Sequence, residues 1–554
     1  MKKFLLSLFT ILAPVFLFAQ EAQQKSIDEV INEKFGNATG WFVELIFAEI
    51  PVVAAVEATQ TDIDNAVIGA DDNVVTAIGD IVIPGVGIPW VVIMLLGFAI
   101  FFTVYFKFIN ISGFSTALNV VRGKYDELDH PQAGVLKGDL TPGADIPETI
   151  RVEGEEGEVS HFQALTAALS GTVGLGNIAG VAIAITIGGP GATLWMIIAG
   201  LLGMTSKFAE CTLGVKYRDV DEHGTVFGGP MYYLKKGLSE RGAAGLGKVL
   251  AVLFAIFCIG GSFGGGNMFQ SNQAAIIFND TAGFTGGASG LIFGIVMAVC
   301  VGFVIIGGLK RIAAVTEKVV PFMVGIYLLA ALVVIGMNFT EIIPAFGKIW
   351  NGAFAPMGVA GGFVGVLVQG FRRAAFSNEA GVGSAAIAHS AVKTKYPASE
   401  GIVSLLEPFI DTVVVCTITA LVIVITGNYL DAGAASGVQL TSDAFASAIP
   451  WFPYVLTGAV ILFAFSTMIS WSYYGLQSWL FLFGRSERNV MTYKIVFCLF
   501  TVLGASISLG AVTDFSDAMI FAMAIPNLIG VSLLLPKVKE ELVKYRDAIK
   551  ASKS

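Results

Sequence analysis

The chain has 554 residues, of which 55% are hydrophobic and only 14% charged, with a mean hydropathy of +0.76. A soluble globule carries about 25% charged residues, so a soluble enzyme or nucleic-acid-binding domain is excluded and an all-α polytopic membrane protein is expected. The net charge of −9 identifies no partner, because most of the excess acid lies in two hydrophilic segments.

Taken in chain order, the N-terminus MKKFLLSLFTILAPVFLFAQ sets two lysines before an apolar run, the pattern of a secretory signal peptide over 1–19. The competing reading is an uncleaved first membrane helix. Residues 20–86 form an acidic extracytoplasmic segment with one amphipathic stretch (41–56). There Glu44 and Glu49 argue against a span and for a place on the membrane surface or on the protein's outer face. Eleven spans are predicted, near 87–108, 162–187, 191–215, 249–274, 288–308, 319–338, 358–388, 402–427, 452–483, 491–511 and 517–536. A second acidic segment, 109–161, reads as a solvated cytoplasmic loop, and 537–554 as a cytoplasmic tail. With the mature N-terminus outside, 24 Lys and Arg fall on or beside inside segments and 3 on outside ones, which orients the C-terminus to the cytoplasm of the cell (inner) membrane. The five cysteines sit in apolar stretches without metal-ligand spacing.

The second span begins SGTVGLGNIAGVAIAI (170–185), with four glycines in its first eleven positions. Glycine costs a helix about 1 kcal/mol relative to alanine, and an unpaired amide in hydrocarbon costs several. A break there is therefore expected to face a cavity, where free carbonyls hold a cation and free amides an anion. The motif Asn177-Ile-Ala-Gly-Val181 recurs as Asn378-Glu-Ala-Gly-Val382 in span 7, five spans later and so crossing in the opposite direction. Two broken helices at corresponding places in antiparallel halves predict an inverted-repeat secondary transporter. The first span (87–108) is then peripheral to a first repeat over 162–338 and a second over 339–536. Close helix packing alone would explain the glycines but not the asparagine.

These segments, with SKFAECTLGVKYR, GGPMYYLKKGL, RRAAFSNEAGVGSAAIAHSAVKTKYP, EPFIDTVVVCTITALV, WSYYG and MAIPNLIG, resemble the alanine/glycine:cation symporter family, the sodium:alanine symporters, over roughly 87–540. GTVGLGN is also similar to the broken first helix of the wider leucine-transporter fold. The resemblance implies sodium-coupled uptake of alanine or glycine, with sodium as coupling ion and no cofactor. It implies carbonyls of Thr172 and Val173 on sodium, joined by Ser466 and Thr467. It sets Gly174, Gly176 and Asn177 toward the substrate carboxylate, and Gln270, Phe376, Asn378 and Trp471 around the pocket. Large walls against a bare backbone favour alanine, glycine or serine over leucine. The acidic segments 20–86 and 109–161 are longer than usual for the family.

Charged groups inside spans are expensive and usually functional. Arg372, Arg373 and Glu379 read either as a gate whose ion pair breaks during alternation or as a static brace of the break. Glu407 and Asp411 lie four apart, on one helix face, in a structural or gating role or as a proton site. Lys207 and Glu210 read as an interfacial pair reaching toward water, and His389 as a polar residue at the inner end of span 7. The GLGNIAG spacing does not match a dinucleotide fingerprint, and no hydrolase elbow, phosphate loop or basic stripe is present, so no enzyme and no nucleic-acid partner is expected. The alternatives kept open are a proton-coupled amino acid transporter and a non-transporting channel or sensor on the same scaffold. The partners implied are a small neutral amino acid, sodium and membrane lipid.

Overall fold

The computed structural model describes residues 27–53, 56–57, 82–83, 86–129, 157–222, 224–284, 288–354, 362–430 and 437–552. The signal-peptide reading falls outside them. The described chain is overwhelmingly helical. Among the described residues seven helices are long and apolar enough to cross a membrane, and an eighth candidate is a pair bent by 50° at a short break.

Helix α1 (Ile27–Ile46) precedes a hairpin of β1 (Glu49–Val53) with β4 (Val86–Pro89); β2 (Val56–Glu57) pairs with β3 (Val82–Ile83) between them. The amphipathic stretch is thus split between a helix end and a strand, and it packs on the protein body. Phe47 meets Phe521 edge-on at 5.6 Å and Phe35 meets Phe515 at 5.1 Å, while Glu44 stays exposed. Helix α2 (Trp90–Tyr105) is followed by short helices Ile109–Ser112 and Phe114–Val121. These bury Ile109, Ala117 and Val120 against the bundle, so the start of the 109–161 segment is not a solvated loop. Its apolar residues recur at helical spacing, which its acidic composition concealed.

The broken span starts at α3 (His161–Thr172). A capping box opens it: Gln163 N–H donates to Ser160 Oγ, and Ser160 N–H to Gln163 Oε1, both at 3.2 Å. It stops where Gly171 and Gly174 flank Val173. It resumes through a π turn (Gly176–Gly180) into α4 (Val181–Gly188). Helix α5 (Ala192–Lys216) crosses behind the break. Gly200 lies against Thr412 and Gly203 against Ala380, small residues that let backbones approach closely.

A hairpin of β5 (Asp219–Val220) and β6 (Val226–Phe227) leads to α6 (Pro230–Glu240), which has proline in its first turn. Helices α7 (Ala244–Phe263) and α8 (Phe269–Ala282) form one long span around a π turn, Gly264–Met268. Then follow α9 (Ser289–Ile305), α10 (Gly308–Met337) and α11 (Ile342–Ala353). The second interrupted segment is α12 (Gly362–Asn378), a run with positive φ at Glu379, Gly381 and Gly383, and α13 (Ala385–His389). Helix α14 (Pro397–Val403) leads through a third π turn (Phe409–Cys416) into α15 (Thr417–Thr426). The chain closes with α16 (Val438–Ala448), α17 (Phe452–Phe483), α18 (Glu487–Ser506) and α19 (Leu509–Ala551), the last running unbroken past Pro536.

Candidate functional site

Three π turns, 176–180, 264–268 and 409–416, converge at the first break, and π turns favour functional sites. Each leaves backbone groups that side chains must satisfy. Gly174 N–H donates to Asn177 Oδ1 at 2.9 Å, and Leu175 N–H to Gln270 Oε1 at 3.1 Å. Gln270 Nε2 in turn donates to the Gly265 carbonyl at 2.9 Å, so one amide spans two breaks. Thr441 Oγ1 donates to the Ile178 carbonyl at 3.1 Å.

The two echoed asparagines perform matching work. Asn177 accepts from an amide of its own break, and its Nδ2 donates to the Asp411 carbonyl (3.0 Å) and Oδ1 (2.7 Å). Asn378 accepts from Ala380 N–H at 2.9 Å and donates to Thr412 Oγ1 at 2.9 Å. Both interrupted helices are therefore tied to adjacent residues of one π turn. Ser377 Oγ (3.2 Å) and Thr412 Oγ1 (2.7 Å) also donate to Asp411, which accepts at both oxygens.

A compact set of sequence-picked residues meets on the other side of the break. A Cβ at Gly174 would overlap Thr467 Oγ1 and stand 3.2 Å from Gln270 Oε1. Thr467 Oγ1 is buried and has no hydrogen-bond partner among the described residues. Ser466 lies one residue away; its carbonyl accepts from Ser170 Oγ at 2.7 Å, which docks α17 on α3. The bare backbone of Gly265 and Gly266 opens toward Phe376 and Trp471, where a Cβ would strike the indole. Phe269 packs edge-on to Phe376 at 5.1 Å. Gly174, Gln270 and Thr467 thus lie together at the break, with Phe376 and Trp471 against the Gly265–Gly266 backbone, and the buried Thr172 and Val173 end α3 next to Gly174 in the chain. Gly176 backs onto Ser377, and Asn177 and Asn378 face the π turn of Asp411, so these three brace the region from behind.

The charged residues pair differently from the sequence expectation. Arg372 Nε donates to Asp517 Oδ2 at 2.8 Å and Arg373 Nη2 bonds the same oxygen; neither arginine pairs with Glu379. Glu379, in left-handed backbone (φ 56°), accepts from Trp471 Nε1 at 2.9 Å and from Ser384 Oγ. Lys207 and Glu210 are not an interfacial pair: both are fully buried. Lys207 Nζ bonds Glu407 at 3.1 Å, while Glu210 accepts from Asn527 Nδ2 at 2.7 Å. Small residues around α5 draw neighbouring backbones over this stretch, so it meets protein where the linear sequence suggested water. Glu407 bonds Lys207 and His389, while Asp411 is held by Asn177, Ser377 and Thr412. Sequence reasoning passed over Asp517, Glu400, His161 and the Gly264–Gly266 triplet. An acid opening the last span was the available signal for Asp517.

A helical bundle with several apolar spans, in which buried side chains satisfy the backbone freed at interrupted helices, is the construction of a secondary transporter. The sequence profile of the sodium:alanine symporter family matches residues 70–554. The chain belongs to that family, whose members are transporters and not enzymes. It is 40% identical over 462 residues to the sodium/alanine symporter AgcS of Methanococcus maripaludis, covering 83% of this chain and 94% of that one. It is 33% identical over 465 residues to a Bacillus subtilis protein named "Probable sodium/glutamine symporter GlnT", covering 83% and 89%. Among solved structures it is similar to MhsT in complex with L-phenylalanine, with TM-score 0.51 and 18% identity over 68% of this chain and 89% of that one. That likeness places the chain in the leucine-transporter-type fold. The homology supports a multi-pass secondary transporter of amino acids.

Proposed function

We propose that this protein is a sodium-coupled symporter of small neutral amino acids, alanine or glycine, working by alternating access. In this reading eleven spans form a peripheral first span and two inverted five-span repeats, 162–338 and 339–536, with the N-terminus outside and the C-terminus cytoplasmic. Thr172, Val173, Ser466 and Thr467 hold sodium, Gly174 presents bare backbone to the substrate carboxylate, and Gln270, Phe376 and Trp471 wall the pocket. Asn177, Gly176 and Asn378 hold the two breaks in register.

The observation that carries this reading is Thr467 Oγ1, a buried oxygen without a partner among the described residues, beside Gly174 at the break. An unmatched buried hydroxyl costs about 1–3 kcal/mol, a cost that an oxygen-seeking cation removes. Adjacent ion and substrate sites on one broken helix are also what coupling requires. Moving one charge through about 100 mV yields about 2.3 kcal/mol, roughly fifty-fold accumulation at about 1.4 kcal/mol per decade. Asp411 accepts three side-chain donors on its two oxygens, which suits a fixed carboxylate better than a proton carrier.

The test is uptake of labelled alanine into proteoliposomes under an imposed sodium or proton gradient, with glycine, glutamine and leucine as competitors. Sodium-driven accumulation inhibited by glycine is expected. Accumulation driven by protons alone, equilibration without accumulation, or preference for glutamine or leucine would each overturn the corresponding part.

A further inference from the structure

At the end of the bundle where the first broken span begins, two segments that are distant in sequence are joined by backbone. Glu158 N–H donates to the Ala391 carbonyl at 2.7 Å, and Lys393 N–H to the Val159 carbonyl at 2.8 Å, pairing Val159 with Val392 as a short parallel bridge. Arg218 Nη1 adds a bond to the Ser390 carbonyl at 2.9 Å. This joint links the start of α3 to the chain that follows the second break.

A chain of buried ionisable side chains lies beside it. His161 Nδ1 meets Glu400 Oε2. His389 Nδ1 meets the other oxygen of Glu400 at 2.5 Å, and His389 Nε2 meets Glu407 Oε2 at 3.4 Å. Lys207 Nζ closes the chain on Glu407 Oε1 at 3.1 Å. His389, Glu400, Glu407 and Lys207 are fully buried.

A neutral imidazole has one N–H. Both ring nitrogens of His389 face carboxylate oxygens, so both are satisfied only when both carry hydrogen. With His389 as imidazolium, it and Lys207 balance Glu400 and Glu407, and a neutral His161 supplies the remaining N–H. Without that proton the chain buries one unbalanced negative charge, a large desolvation penalty.

We propose that His389 is a proton-binding site that latches this end of the protein shut. The proton stays bound while the His161–Glu400 bridge and the Val159–Val392 joint hold α3 to the segment after the second break. It leaves when the two separate. Other ionisable groups around the chain are committed elsewhere. From α5, Glu210 is bonded to Asn527, and Cys211 lies beside Lys207. Following α12, Glu379 is held by Trp471 and Ser384. After α14, Asp411 is held by Asn177, Ser377 and Thr412. From α17, the buried Tyr474 packs edge-on to Trp471. On the hydrophilic side stand Glu158, Arg218, Asp221, Lys310 and Lys393, with Glu158 accepting from Val226 N–H at 2.8 Å. None of them supplies the second positive charge.

The inference rests on the alternating-access reading only for what separation of the two segments accomplishes. The test is hydrogen–deuterium exchange of the full chain in lipid nanodiscs, following the Lys393 amide across the histidine range and correcting for intrinsic exchange. Because a proton bound only in the closed state is linked to opening, protection is expected to fall by up to about tenfold per pH unit in the alkaline direction. The variant His389→Gln/Glu400→Gln keeps Lys207 balanced against Glu407 and is expected to show flat protection. His161→Gln is expected to keep the slope at lower protection. Flat protection in the unmodified protein, an unchanged slope in the double variant, or a lost slope in His161→Gln would overturn the proposal. Exchange needs no transport, so a correct slope with failed uptake refutes the symport reading alone. Intact sodium-driven uptake with flat protection refutes the latch alone.

Discussion

Replacing Gly174 by alanine isolates the contact on which the proposed ion site depends. Gly174 does not have positive φ, so alanine adds no backbone strain there. The new methyl would overlap Thr467 Oγ1 and press on Gln270 Oε1 at 3.2 Å. Gln270 is anchored at both ends, by Leu175 N–H and the Gly265 carbonyl, and cannot move cheaply. Among the described residues nothing hydrogen-bonds Thr467 Oγ1, so rotation of the threonine is the easier relief. That rotation carries the hydroxyl away from the break. Overpacking of this kind costs about 1–3 kcal/mol, and at about 1.4 kcal/mol per decade that is a loss of roughly five-fold to 140-fold. The loss should fall on sodium affinity while the protein remains folded. Gly180→Ala is the control, because a Cβ there meets open space and its propensity gain is at most about 1 kcal/mol. Sodium dependence of initial alanine uptake, measured for both variants in proteoliposomes, is the assay. If Gly174→Ala retained the sodium half-saturation of the unmodified protein, the assignment of Thr467 and the break to the ion would be wrong.

Three further outcomes are expected. Asn177→Ala removes the acceptor for Gly174 N–H and the donor to Asp411, and should cost about 2–4 kcal/mol at roughly 1–2 kcal/mol per bond; thermal unfolding and uptake should fall together. Arg373→Gln and Asp517→Asn each break a buried pair, at about 3–5 kcal/mol. Cross-linking of α12 to α19 through introduced cysteines then distinguishes a static brace, where linked protein still transports, from a gate, where linkage stops uptake. Trp471→Phe keeps the ring but strands Glu379 Oε1, at about 1–3 kcal/mol. It should lower transport more than Trp479→Phe, whose indole N–H has no partner among the described residues.

Much of the architecture could be read from residue order because membrane chemistry acts locally. Apolar runs marked the long helices, and glycine clusters marked the interruption at 171–180, because hydrocarbon leaves a backbone few options. The repeated N-x-A-G-V identified Asn177 and Asn378 before any contact was visible, and both turn out to brace a break. Pairing was not legible in the same way. Nothing in the sequence says that Lys207 meets Glu407 two hundred positions away, or that both arginines choose Asp517 over the nearer Glu379.

The sequence by itself therefore determined that this is a helical membrane protein and that its helix gives way at 171–180. Those properties follow from hydropathy and backbone conformational cost, which each short stretch carries within itself. Only the tertiary structure decided which buried charges compensate one another, and it set Thr467 against Gly174 and His389 between two carboxylates. Burial and partnership belong to packed helices, and the packing is set by contacts among residues far apart in the chain.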